Sequence, residues 1–205
     1  MLKKLELSYD DHYKLFNYCK KIKIDFISTP YDIDSAKFLT KLGVEIFKTA
    51  SADIIDLGLH KYLANQKKPV IISTGMSNIK EINEILKLYK NKKNIALLHC
   101  VSNYPCSYGS INLNVLPVLK KKFKIPIGFS DHSIGSNVCC AAIALGAKIF
   151  EKHLTLNKKL KGPDHKASMD IKEFKNFVND LRNVKVSLGN PIKKVQFEEK
   201  NMMKI

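Results

Sequence analysis

The 205-residue sequence predicts an α/β fold, a (β/α)8 barrel that is incomplete, with about six βα units and the first two strands absent. Three observations carry this. Short apolar runs rich in Ile, Val and Phe alternate with amphipathic runs along the chain, the pattern of repeated βα units. One layout occurs twice, in Leu42-Gly-Val-Glu-Ile-Phe-Lys48 and Leu145-Gly-Ala-Lys-Ile-Phe-Glu151. The nucleotide signatures of open doubly wound sheets, Gly-x-Gly-x-x-Gly and Walker A, do not occur. A closed barrel needs eight strands and about 250 residues, which this chain falls short of.

Each element has a local reason. Residues 8–22 read as a helix, with Ser8 as N-cap, Asp10 and Asp11 in the first turn and Lys20 and Lys21 in the last. Ile24–Thr29 follows as an apolar strand. Asp34–Leu42 is a helix closed by Gly43, a residue free to take positive φ. Glu45–Thr49 is a strand, and a helix covers roughly Ile55–Asn65. Pro69–Ser73 is a strand before the helix Ile79–Tyr89, which Asn78 and Glu81 open at capping-box spacing. Ile95–Val101 is a strand, and the polar loop Ser102–Ser110 leads to a helix near Leu113–Lys122. Pro126–Ser130 and Lys148–His153 are strands joined by the Ala-rich helix Val138–Leu145 and Gly146. A loop over 155–170 precedes a last helix, Ile171–Leu188, ended by Gly189. No linker or low-complexity stretch interrupts this, so residues 1–205 form one domain.

The strand–helix–strand unit around residues 126–153 makes two parallel neighbours about 4.8 Å apart. His132 and His153 each stand at the C-terminal end of a strand, where α/β folds place their chemistry. Two imidazoles so placed can share one divalent metal.

Composition bounds the function. At 45% hydrophobic and 26% charged, the chain can bury one sizeable core. The net charge of +16 comes from lysines spread over helix faces without interleaved aromatics, so it argues for a solvated surface over nucleic-acid binding. The five cysteines show no C-x-x-C spacing, and Cys139 and Cys140 are adjacent in an apolar helix, the pattern of reduced thiols. No apolar run approaches about 18 residues and no signal-peptide pattern opens the chain. These features point to a cytoplasmic protein without membrane contact.

Side chains alternate along strands, so parity sorts them. The set containing His132 and His153 includes Gly128, Ser130, Ile149 and Glu151, then Ile27 and Thr29, Ile46 and Lys48, and Ile71 and Ser73. From the fourth strand and the loop after it come Leu98, Cys100, Ser102 and Tyr104. Each strand is thus apolar below and polar at its C-terminal end. The opposite set, Phe26, Phe47, Ile72, Leu97, Phe129 and Phe150, suits contact with outer helices. Lys48 with Thr29, Ser73 and Ser130 forms an anion pocket suited to phosphate or carboxylate, with Glu151 or Asp53 available to pair the lysine. His12 reads as a surface residue, His60 and His99 as packing, and His165 lies in the last loop, open to either role.

Six stretches in order, Ser28-Thr-Pro-Tyr-Asp32, Ile72-Ser-Thr-Gly-Met76, Leu98-His-Cys-Val-Ser-Asn-Tyr-Pro105, Gly128-Phe-Ser-Asp-His132, Glu151-Lys-His153 and Gly162-Pro-Asp-His-Lys-Ala-Ser168, resemble the sialic acid synthase family. The resemblance covers nearly the whole chain. It implies a barrel enzyme, a homodimer in full-length members, that condenses phosphoenolpyruvate with N-acetylmannosamine and releases phosphate. It implies a divalent cation, Mn2+ first and Mg2+ or Co2+ as alternatives, on the residues matching His132 and His153. Carried over, Lys48, His132, His153 and Asp164 form the catalytic set. Thr29, Ser51, Ser73 and Ser130 would join Lys48 on phosphoenolpyruvate. Asp53, Tyr104, Asp164 and Ser102 would meet the amino sugar, with Ser102 standing where some members have Asn.

The resemblance also implies departures. Family members carry two earlier strands, ending in a catalytic Glu and a phosphoenolpyruvate-binding Lys, and a C-terminal antifreeze-like domain donating an Arg to the partner's site. This sequence matches the central part of such a barrel, so the isolated chain is expected to be weak or inactive. The loop Gly162–Ser168 fits neuraminate and legionaminate enzymes better than pseudaminate ones. Two alternatives stay open: a legionaminate or other nonulosonate synthase, and a non-catalytic remnant binding metal or phosphate.

Overall fold

The computed structural model describes residues 6–204. A single parallel sheet runs in the order β1 (Phe47–Thr49), β2 (Val70–Ser73), β3 (Ile95–Cys100), β4 (Ile127–Asp131) and β5 (Phe150–Lys152). Helices α1 (Tyr9–Ile22) and α2 (Ile33–Leu42) precede it. Helices α3 (Leu57–Asn65), α4 (Ile79–Leu88), α5 (Val115–Phe123) and α6 (Asn137–Ala144) connect successive strands, and α7 (Ile171–Ser187) follows β5. Every strand lies beside its sequence neighbour, as repeated right-handed βα units require.

The sheet curls. Lys48 on β1 and Glu151 on β5 belong to its two opposite edges, yet Lys48 Nζ lies 3.4 Å from Glu151 Oε2. Inward side chains of a flat five-stranded sheet could not meet, because neighbouring strands are about 4.8 Å apart. The sheet is therefore a curved half-barrel. The outward set packs beneath the helices: Phe47, Ile72, Leu97 and Phe129 are buried with Leu59, Leu63, Ile85 and Leu116.

Local signals formed as their chemistry dictates. Ser8 accepts the Asp11 N–H at 3.1 Å, and Asn78 and Glu81 close a reciprocal capping box. Gly43 (φ 95°) and Gly146 (φ 93°) end α2 and the α6 turn in the left-handed region, so the repeated Leu-Gly layout is one helix-to-strand turn used twice. The expected helix over 55–65 begins instead with a 3₁₀ turn, Ser51–Ile55, and α3 starts at Leu57.

One expectation is corrected. Ile24–Thr29, read as the first of six strands, is not a strand. β1 bonds only to β2, and the segment joins no ladder among the described residues. Apolar, β-branched composition favours a pleated surface but supplies no partner backbone. Its one large apolar anchor, Phe26, meets Phe16 of α1 edge-on at 6.0 Å between centroids.

The histidines outside the inward set pack as expected on α3 and β3, and half-burial of His12 against Phe26 and Phe38 replaces a free surface role. His99 stacks on Phe129 and bonds the Ile111 carbonyl at 2.7 Å. His60, fully buried, lies 2.8 Å from the Tyr89 hydroxyl through Nδ1. No helix among the described residues is long and apolar enough to cross a membrane.

Burial lowers the His60 pKa from 6.5 to about 4. The fold thus keeps His60 neutral while the unfolded chain takes up a proton below pH 6.5. Stability should fall by about 1.4 kcal/mol per pH unit from this group, down to about pH 4 where the folded form also protonates. Urea unfolding between pH 7 and 4 should show a shallower pH slope for His60→Phe than for the wild type. Equal slopes would remove His60 from the acid sensitivity.

Candidate functional site

The C-terminal ends of the five strands surround one cavity of about 540 Å³. Its wall holds Thr29, Lys48, Ser51, Ser73, Ser102, Tyr104, Ser130, His132, His153 and Asp164, every residue singled out from sequence except Asp53. Thr29 reaches it from the unpaired segment before α2, and Asp164 from the loop after β5. Inward parity on parallel, in-register strands explains Lys48, Ser73, Ser130, His132 and His153, while Ser51 comes from a 3₁₀ turn and Ser102 and Tyr104 from the loop after β3. Ser73 pairs with Leu98, Cys100 with Ser130, and Ser130 with Glu151, so hydroxyl, thiol and carboxylate stand side by side.

Lys48 is the electrostatic centre. It is buried, donates to Ser73 Oγ at 2.8 Å and to the Thr49 carbonyl at 3.0 Å, and pairs with Glu151. Glu151 Oε1 accepts the Ser130 hydroxyl at 2.7 Å. Glu151 was legible as an inward residue but not as the hub joining Lys48 to Ser130. That link exists only because the sheet curls. Beside it, Ser51 Oγ accepts the Gly75 N–H at 3.0 Å and lies 3.4 Å from Cys100 Sγ. An ammonium and several hydroxyls facing one space can hold an anion with several oxygens.

The imidazoles sit at the other end. His132 and His153 directly follow β4 and β5, with ring centroids 5.6 Å apart. His132 Nδ1 lies 2.7 Å from the Val101 carbonyl oxygen. A carbonyl only accepts, so Nδ1 carries the proton and Nε2 keeps its lone pair. Nε2 has only a long 3.5 Å contact, to Ser130 Oγ. Burial lowers the His132 pKa, with His153 adding to the effect against the Val101 bond. The pair fits a divalent cation: two adjacent imidazoles, one already oriented by a carbonyl on its far nitrogen with its other nitrogen's lone pair free. Among the described residues no third His, Cys, Asp or Glu completes a metal-binding cluster, which leaves positions for water or substrate oxygens.

Tyr104 packs its ring 4.0 Å from that of His132 and 5.4 Å from that of His153. Burial raises its pKa to about 12, so at neutral pH its hydroxyl is a donor.

Asp53 is placed elsewhere. It belongs to the 3₁₀ turn Ser51–Ile55, whose side chains rotate about 120° per residue. Ser51 faces the cavity, and two residues later Asp53 turns back to accept the Ala50 N–H at 3.2 Å. His165 is also turned away from the cavity wall and bonds Thr155 Oγ1 through Nδ1 at 2.7 Å. Tyr31, Met76 and Cys100 also line the wall. Inward parity marked Cys100, whereas Tyr31 and Met76 come from turns where parity has no meaning.

The NeuB family model matches residues 1–193. The chain belongs to the NeuB family. Two curated relatives, the N,N'-diacetyllegionaminic acid synthases of Campylobacter jejuni and Legionella pneumophila, are 43% and 42% identical over 98% and 95% of this chain. The chain spans 62% and 56% of their lengths. The human N-acetylneuraminate-9-phosphate synthase is 35% identical over 93% of the chain and 54% of its own length. Among solved structures, an N-acetylneuraminic acid synthetase from Leptospira borgpetersenii, crystallised with citrate, aligns with a TM-score of 0.91 at 35% identity. It covers 98% of this chain and 71% of its own. A truncated 3-deoxy-D-arabino-heptulosonate 7-phosphate synthase from Thermotoga maritima shares the fold at a TM-score of 0.78 and 19% identity. The half-barrel of this NeuB family chain is thus a segment of a known barrel architecture.

Lys48→Met should remove the only ammonium on the cavity wall among the described residues and weaken inorganic phosphate binding by at least tenfold in calorimetry, with the fold retained. Unchanged binding would place the anion elsewhere.

Proposed function

We propose that this chain carries the catalytic rim of a nonulosonic acid synthase, which condenses phosphoenolpyruvate with an N-acetylated amino sugar and releases phosphate. The observation that carries the reading is one cavity holding both a buried lysine among hydroxyls and a pair of adjacent imidazoles. An enol phosphate with a carboxylate needs the first, and an aldehyde to be activated needs the second.

Lys48 would sit against the acid's phosphate or carboxylate, exchanging part of its pairing with Glu151 for the substrate charge. Ser51, Ser73, Ser130 and Thr29 would donate to the remaining oxygens, holding the enol with C3 toward the imidazoles. His132 Nε2 and His153 would hold the divalent cation, Mn2+ or a similar ion, which when bound supplies a Lewis acid for the sugar's aldehyde oxygen. The enol π pair forms a C–C bond from C3 to the aldehyde carbon, whose oxygen takes the carbonyl π pair and, with the proton released by the water that adds next, becomes a hydroxyl. Water adds at C2, the C2–O bond breaks, and the electron pair leaves with phosphate. Tyr104 would donate to the sugar, and Asp164 would accept from its hydroxyls.

For the sugar, the greater identity to the diacetyllegionaminic acid synthases (43% and 42%) than to pseudaminic acid synthase (34%) favours an acetamido sugar of the legionaminate or neuraminate kind. Phosphoenolpyruvate titrated into the Mn2+-loaded protein should bind saturably, and Lys48→Met should abolish this. Phosphate release should then require N-acetylmannosamine or its diacetamido analogue. Absence of phosphoenolpyruvate binding with or without Mn2+ would refute the reading.

A further inference from the structure

Behind the rim, on the outward side of β4 and β5, lies a second charged group. Asp131 and Lys152 are register partners and form an ion pair at 2.7 Å, with the two side chains 0% and 2% exposed. The Asp131 carboxylate is saturated. One oxygen accepts the Ser133 N–H at 2.8 Å and the Ser133 hydroxyl at 2.7 Å. The other accepts Lys152 and the Cys139 thiol of α6, the latter at 3.2 Å. Lys152 also donates to the Ser133 carbonyl.

None of these groups lines the cavity. Their positions in the chain are informative. Asp131 and Ser133 flank His132 on both sides, and Lys152 directly precedes His153. The network therefore fixes the peptide before and after one imidazole and ties it across the ladder to the peptide before the other. His132 adds its own bond to Val101 on β3's exit.

Desolvating two full charges stabilises a fold little, and an apolar pair of similar volume is often as stable or more so. What directed bonds supply, and apolar contacts do not, is a defined geometry. We propose that the buried Asp131–Lys152 pair, with Ser133 and Cys139, is a positioning device that sets the separation and orientation of the His132 and His153 rings. The inference deepens the reading of those rings as a cation site, yet its geometric content stands apart from any metal.

The test compares the wild type with Asp131→Leu/Lys152→Met, which fills the space without directed bonds, and with Asp131→Asn/Lys152→Gln, which keeps hydrogen bonding without charge. Ring 15N spectra of the metal-free proteins should show His132 as one Nδ1–H tautomer in the wild type and in the polar pair, and as a tautomer mixture in the apolar pair. Mn2+ affinity should drop about 10- to 100-fold in the apolar pair, with a thermal midpoint close to the wild type.

An apolar pair that folds with unchanged tautomer and Mn2+ affinity would overturn the inference and leave the cation site standing. A wild type that binds no Mn2+ but whose tautomer is lost in the apolar pair would overturn the cation site and leave the inference standing. If the apolar pair does not fold, Lys152→Arg is read in its place. Its longer planar fork should disturb the same tautomer in a folded protein, and an undisturbed tautomer there would overturn the inference.

Discussion

The contact between Lys48 and Glu151 is the one on which the rim depends. The two residues come from the first and last strands of the sheet, and they meet only if three intervening strands bend into an arc. Once bent, the inward side chains at each strand's C-terminal end converge: Ser73 reaches Lys48, Ser130 reaches Glu151, and His132 lies next along β4. An ammonium in a site this buried is tolerable because each of its directions is occupied by an acceptor. The same arrangement makes it available. An anion entering the cavity would replace acceptors already gathered there and need not force the lysine out of water afresh.

The two sides of β4 and β5 divide the work. Inward, Ser130, His132, Glu151 and His153 face the cavity; outward, Asp131 and Lys152 neutralise one another beneath α6. Strand alternation makes this division automatic, since each functional side chain sits directly beside a structural one in sequence. It also explains why chemistry and support lie so close in sequence. A change at Asp131 or Lys152 acts through peptides that carry the imidazoles.

Much of this was legible beforehand, for local reasons. Asn78 with Glu81, Ser8 with Asp11, and the glycines at 43 and 146 act within a few residues, so composition and spacing suffice to place them. Parity picked out the cavity wall because strands repeat every two residues. Legibility ended where the period changed or a distant partner decided. Ile24–Thr29 has strand composition but no neighbouring backbone. Asp53 shares the apparent face of Ser51 until a 3₁₀ turn rotates it away. Lys48–Glu151 was one of two candidate pairs, and only the curl of the sheet selects it. Asp131–Lys152 joins an acid and a base 21 positions apart (152 − 131), visible only when the register is known.

The anion pocket and the imidazole pair are proposed to serve one bound substrate set at the end of this half-barrel. A crystal structure of the protein soaked with Mn2+ and phosphoenolpyruvate tests this most directly. A cation on His132 Nε2 and His153, with an oxygen of phosphoenolpyruvate within hydrogen-bond distance of Lys48 Nζ, is the expected result. Phosphoenolpyruvate bound away from Lys48, or a cation held by other residues, would contradict it.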